Sequence, residues 1–510
     1  MAREPVQRTL FDLLNAGAAD HPALVAPGRP PLSYAALRAN VATLAAQLQN
    51  LGIGRGDRVA IAMANGPEMA IAFLAAATAA TAAPLNPKYR PDEFAFYYDD
   101  TRATALIVAP GTQAEARAAL LPGMTVIEAE TQADGTLSFV VGSQEQRLPS
   151  SAHPARSLAL PDDVAMILHT SGTTSRPKRV PIRHRNLATS AANIAETYGL
   201  GPADRSLCVM PLFHIHGIVA SLLSTLATGG TVICPPGFDG LKFWSWVEEF
   251  RPTWYSAVPT MHQLLLARAE RNTELIRRNP FRFIRSSSAP LPPVVMERLE
   301  ETFGAPVLES YGMTEASHQM ASNPLPPAPR KPGSVGVGVG VDVAIMDEAG
   351  ALLPRGATGE VVVRGGNVVD GYENNPEANA AAFVDGWFRT GDQGYLDADG
   401  YLVLTGRIKE LINRGGEKIS PLEIDDALLR HPVVAEALAF AAPHRTLGEE
   451  VHAAVVLRAP VEERELREHC ARLLADFKVP RQIHILEALP RGATGKLQRI
   501  TMAKTLGLTE

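Results

Sequence analysis

Short apolar runs of strand type alternate with helical segments along the first half of the chain, and this alternation restricts the fold to a parallel sheet with helices on its faces. Ser33 is placed to cap a helix from Tyr34 through Leu48, whose apolar residues recur at helical spacing, and Gly52 ends it. Arg58-Val59-Ala60-Ile61-Ala62-Met63 then reads as a strand, followed by Asn65-Gly66 and an Ala-rich helix from Pro67 to Ala79. Thr104 to Val108 is the next strand, and the rhythm returns in Leu207 to Met210, Thr231 to Cys234 and Trp254 to Val258. Each run ends in a polar or proline-marked loop, and such loops at strand ends can line one crevice.

One of these loops carries an unusual density of hydroxyls. After the apolar run Asp163 to Leu168 comes His169-Thr170-Ser171-Gly172-Thr173-Thr174-Ser175-Arg176-Pro177-Lys178. Glycine lets backbone N–H groups approach an anion, the hydroxyls can donate to phosphate oxygens, and Lys178 with Arg176 supplies positive charge. The spacing is not that of a Walker loop, and Pro177 keeps a helix from starting at the lysine. A polar surface turn is the competing reading of this stretch alone.

Beyond Gly333 the texture changes. Val341 to Met346, Gly359 to Arg364 and Tyr401 to Thr405 are strands joined by Gly/Asp turns, as in a small antiparallel sheet or barrel. A further break near Gly406-Arg407-Ile408-Lys409 divides the chain into a body, residues 1–407, and a small C-terminal α+β domain, residues 408–510. A net charge of -6 over 510 residues makes neither nucleic acid nor an anionic membrane the expected partner. Cys208, Cys234 and Cys470 lack metal spacing and fit buried thiols in a reducing compartment. The first residues do not read as a signal peptide, and the apolar region Ile215 to Ile233 is broken by His216, Gly217 and Gly229-Gly230, so it reads as a buried helix leading to a strand. A cytoplasmic protein without a membrane span is the expectation.

Three later stretches join the hydroxyl loop: Leu308-Glu309-Ser310-Tyr311-Gly312-Met313-Thr314-Glu315, Trp387-Phe388-Arg389-Thr390-Gly391-Asp392, and Arg491-Gly492-Ala493-Thr494-Gly495-Lys496. With these, and with Gly406 to Asp425, the chain resembles the adenylate-forming superfamily: the acyl-CoA synthetases with luciferase and the peptide-synthetase adenylation domains. The resemblance implies a large body, a mobile C-terminal domain, and a two-step reaction. A carboxylate attacks the α-phosphate of ATP to give acyl-adenylate and pyrophosphate, and the acyl group then passes to the thiol of coenzyme A. Negative charge develops on phosphorus oxygens in the first step, so positioned cations and donors matter most.

Carried onto this sequence, the resemblance assigns Thr170, Ser171, Gly172, Thr173, Thr174 and Lys178 to the phosphates, with Thr170 also among the catalytic residues. It assigns Glu315 to Mg2+ and to catalysis, Asp392 to the ribose with Arg407 nearby, and Glu309, Ser310, Tyr311 and Thr314 to the AMP site. Ala289 and Pro290 would lie against the adenine. Lys496 would reach the α-phosphate and the attacking carboxylate, Lys409 would be the hinge, and Arg414, Gly415 and Gly416 would face CoA, although Gly-Gly also suits a hairpin turn. Arg179 departs from the family by adding charge and bulk beside the phosphates.

For the acyl group the candidates are His214, Ser287, Ser288 and His318, with His216 read as a packed core residue. Imidazoles do not suit a long apolar tunnel, whereas donor side chains suit a second carboxylate on the substrate. The runs Met313 to Leu325 and Asn413 to Pro421 are similar to the oxalate-CoA ligases, which makes oxalate the expected acid. Malonate or short- and medium-chain acyl-CoA synthetases share the adenylation motifs, as do acyl-AMP ligases that load a carrier protein. An inactive nucleotide-binding homologue is the non-enzyme alternative.

Overall fold

A computed structural model describes residues 4–141, 146–147, 157–170, 177–491 and 497–508. Two sheets dominate the body. The first runs Lys178–Arg183, Val164–Thr170, Thr81–Pro84, Arg58–Ile61, Ala105–Val108, Thr125–Thr131, Leu137–Val141, Gln146–Arg147. Its centre is parallel and its edges are antiparallel. The second is parallel from Val307–Met313 through Phe283–Ser286, Trp254–Ala257, Arg205–Leu207 and Thr231–Ile233 to Pro22–Val25.

Ser33 caps the helix Tyr34–Asn50 by accepting from the Ala36 N–H at 3.3 Å. The helix Pro67–Ala79 is buried from Met69 onward, because both of its faces meet apolar neighbours. Its composition is therefore apolar all round rather than amphipathic. The region expected to be a buried helix leading to a strand holds a π-helical stretch, His216–Leu223, then Ser224–Leu226 and the strand Thr231–Ile233. Single π turns inside helices recur at functional sites, and this one carries His216. No described helix is long and apolar enough to cross a membrane.

After these sheets the chain forms a smaller antiparallel sheet of Asp342–Met346, Gly359–Arg364, Trp387–Leu396, Phe383–Val384 and Leu402–Arg407, the element expected from the Gly/Asp turns. From Ile412 onward a five-stranded sheet is built on the long hairpin Val434–His444 and Gly448–Leu457. One face of it packs on Pro421–Leu429 and Glu463–Ala471, the other on Met502–Thr505, so these residues have apolar clusters of their own. All three cysteines are buried thiols.

Candidate functional site

The hydroxyl loop springs from a hairpin. Val164–Thr170 pairs antiparallel with Lys178–Arg183, and Thr170 faces Lys178 at its base. Ser171, Gly172, Thr173 and Thr174 lie outside the described residues, as does Lys496. Successive side chains of a strand point to opposite faces. Lys178 accordingly stands over the Tyr372 ring, 4.4 Å from its centroid. Arg179 turns the other way, with Nε 3.2 Å from Asp100 Oδ2. His169, its cross-strand partner, shares that carboxylate through Nε2 at 2.9 Å. The bulk and charge expected from Arg179 beside the phosphates are thus directed into the stem of the loop, where Asp100 and Glu373 offset them. Burial holds the His169 imidazole below its ordinary pKa against the pull of Asp100.

Glu315 sits in the turn Thr314–Ala316 between the antiparallel strands Val307–Met313 and His318–Ser322. Only glycine fits at 312: a Cβ there would lie 1.9 Å from the His318 carbonyl oxygen. The Glu315 carboxylate is buried and accepts from Tyr372 Oη at 2.8 Å. Burial raises its pKa, and the phenol and Lys178 oppose that rise. No group of three or more acidic, His or Cys residues able to hold a metal occurs among the described residues. A single buried carboxylate near the Lys178 ammonium instead fits magnesium that would be held jointly with substrate phosphates, as this cation prefers.

Tyr311 Oη donates to Asp392 Oδ2 at 2.5 Å, and Arg407 Nε lies 3.3 Å from Oδ1. Asp392 and Arg407 are cross-strand neighbours, so the small sheet sets their pairing. After Ala289 and Pro290, the Leu291 N–H donates to Glu309 Oε1 at 2.8 Å. Burial pushes the Glu309 carboxyl up to about 8, and Asp426 of the C-terminal part adds to the rise. Ser310 and Ser287 spend their hydroxyls on the carbonyls of Ser286 (3.3 Å) and Ser310 (3.0 Å), stitching adjacent strands. The Ser287 hydroxyl thus has a backbone partner in the neighbouring strand Val307–Met313.

The cluster of the acyl candidates Ser288 and His318 holds a residue that the sequence reading missed. Arg285, in the strand Phe283–Ser286, is 0% exposed, and no carboxylate pairs with it among the described residues. Its Nη1 donates to Ser256 Oγ (2.9 Å) and His216 Nε2 (3.2 Å), its Nη2 to His318 Nε2 (3.0 Å) and Gln319 Oε1 (2.9 Å), and its Nε to Tyr198 Oη (3.0 Å). A guanidinium can only donate, so both imidazoles accept at Nε2 and carry their proton on Nδ1. His216 Nδ1–H then donates to Ser288 Oγ at 2.9 Å, and the two imidazoles stack with centroids 4.9 Å apart. His216, expected as core packing, is buried but joins Arg285 to Ser288. His214 is half-buried and accepts the His216 N–H at Nδ1, 3.2 Å away.

Ser288 (φ +72°), Ser317 (φ +49°) and His318 (φ +96°) all occupy the left-handed region, which non-glycine residues rarely hold without a surrounding structure that compels it. A charged residue inside a short apolar strand, Phe283-Ile284-Arg285-Ser286, was the available sequence signal for this centre.

In the C-terminal part, Gly415 (φ +61°) and Gly416 (φ +98°) form the exposed turn of the hairpin Ile412–Arg414 and Glu417–Ile419. Arg414 Nε lies 2.5 Å from Glu450 Oε1. Lys409 is exposed in the turn Ile408–Glu410. Arg499 is paired with both Glu410 (3.3 Å) and Asp425 (2.7 Å), which ties the segment after Lys496 to that turn.

The AMP-binding enzyme family matches residues 12–373, and the AMP-binding enzyme C-terminal domain matches residues 423–496. An oxalate–CoA ligase of Arabidopsis thaliana is 46% identical over 95% of this chain and 95% of its own length. One of Saccharomyces cerevisiae is 45% identical over 88% of this chain and 87% of its own. Among solved structures, ATP-bound MatB from Rhodopseudomonas palustris superposes with a TM-score of 0.87 at 31% identity, covering 99% of this chain and 98% of that one.

Proposed function

Since the chain belongs to the AMP-binding enzyme family and is an AMP-forming acid–CoA ligase that uses ATP, Mg2+ and CoA, we propose that its acid is oxalate. The observation that carries this reading is the buried, carboxylate-free Arg285 guanidinium behind His216, His318 and Ser288. A buried cation needs a compensating anion. An acid that keeps a second carboxylate after the first is activated supplies it, and a two-carbon diacid places both within one small cluster. An apolar acyl chain would leave the charge uncompensated.

In the first half-reaction Lys178 and the hydroxyl loop hold the β- and γ-phosphates, Asp392 with Arg407 holds the ribose, and Ala289 with Pro290 flanks the adenine. Lys496 neutralises charge where the carboxylate oxygen meets the α-phosphorus. Bound magnesium at Glu315 supplies positive charge to the phosphate oxygens. The division at residues 407 and 408 then lets the C-terminal domain turn about Lys409, withdrawing Lys496 and presenting Arg414, Gly415 and Gly416 to CoA. The chain acts in the cytoplasm. Pyrophosphate release with ATP, magnesium and CoA, measured across oxalate, malonate, acetate, octanoate and coumarate, tests the reading. Preference for oxalate supports it, whereas preference for an apolar acid rejects oxalate while leaving the ligase class intact.

A further inference from the structure

A strap of five residues, Val369-Asp370-Gly371-Tyr372-Glu373, crosses between the turn of Glu315 and the strand of Lys178. The Val369 N–H donates to the Glu315 carbonyl at 2.8 Å, and the Glu373 N–H donates to the Arg179 carbonyl at 3.1 Å. Asp370 pairs with Arg183 (2.8 Å) and Arg185 (3.0 Å), and Glu373 pairs with Arg58 and stands 3.9 Å from Arg179. Between these anchors Tyr372 performs two contacts at once: its Oη donates to Glu315 Oε1, and its ring carries the Lys178 ammonium. Asn379 fixes its backbone from both sides, accepting the Tyr372 N–H at 2.7 Å and donating to the Tyr372 carbonyl at 2.9 Å.

We propose that Tyr372 is a positioning residue that holds the phosphate lysine and the magnesium carboxylate apart and in register. The proposal rests on the roles given above to Lys178 and Glu315. Opposite charges that contact one and the same side chain favour a direct ion pair, which would withdraw Lys178 from phosphate and Glu315 from the metal. The ring attracts the ammonium through its π face, while its hydroxyl end reaches the carboxylate. The hydroxyl satisfies one carboxylate oxygen with a charge-assisted bond and leaves the other for a cation.

Two variants separate the two contacts. Tyr372→Phe keeps the ring and loses the hydroxyl, so the magnesium concentration for half-maximal pyrophosphate release should rise roughly 5- to 10-fold, with ATP affinity in EDTA within about twofold. Tyr372→Leu loses the ring as well, and ATP affinity measured calorimetrically in EDTA should fall roughly 10-fold or more. Thioester formation from supplied acyl-adenylate should be unchanged in both, which a general structural role would not predict. Lys178→Ala is the companion measurement. If it weakens ATP binding while Tyr372→Leu does not, the positioning role is overturned. If Lys178→Ala itself leaves ATP binding unchanged, the assignment of Lys178 to phosphate fails, and the proposal with it.

Discussion

Replacing Arg285 with glutamine removes the buried charge while keeping an amide donor for part of its network. Arg285 Nη2 stands 3.0 Å from His318 Nε2. Crossing the imidazole adds roughly 2 Å and a hydrogen bond to a carboxylate oxygen about 3 Å, so charge and second carboxylate are separated by about 8 Å. At that separation an effective dielectric near ~20 makes their attraction about 2 kcal/mol, or roughly 30-fold in kcat/KM. The assay is kcat/KM for oxalate and for acetate, which lacks the second carboxylate. Oxalate should lose roughly 30-fold and acetate no more than about threefold, with Arg285→Lys recovering part of the oxalate loss by restoring charge without the planar fork. An equal fall for both acids would refute the electrostatic reasoning and leave Arg285 a purely structural residue, as would an unchanged oxalate value.

Three further outcomes are expected. Lys496→Ala should abolish pyrophosphate release while leaving thioester formation from supplied acyl-adenylate largely intact, and pyrophosphate release that survived the change would remove Lys496 from the first half-reaction. Asp392→Asn should raise the KM for ATP roughly 10- to 100-fold through loss of a charged acceptor, with little effect on the KM for the acid. Glu309, pushed up to about 8 by burial, keeps its proton at neutral pH in the folded state, whereas the unfolded chain loses it near the ordinary carboxylate value. Its raised pKa makes stability fall as pH rises from the ordinary range toward 8. Glu309→Gln should remove that contribution, so the Tm difference, variant minus wild type, should grow more positive between about pH 5 and pH 8 in thermal melts. A flat difference would show that Glu309 is ionised in the folded protein.

Local pattern determined much of the scaffold. The Ser33 cap, the Ala-rich helix from Pro67 to Ala79 and the Gly/Asp-turned strands near Ile345 and Val362 are set by residues close together in the chain, so they were legible in it. Strand ends were less so: the run expected from Leu207 to Met210 forms its strand at Arg205–Leu207, because pairing with Thr231–Ile233 and Trp254 decides which residues bond. The motif residues Tyr311, Glu315 and Asp392 could be named from the sequence, but Tyr311 donating to Asp392 joins residues from different sheets. Arg179 could not be placed beside or away from the phosphates until strand alternation turned it toward Asp100. Arg285 and Tyr372 escaped the sequence reading altogether. One is defined by burial among His216, His318 and Tyr198, the other by contacting both Lys178 and Glu315. Burial, charge compensation and distance between remote segments arise only when the sheets pack, whereas periodicity, capping and loop chemistry are already present in neighbouring residues.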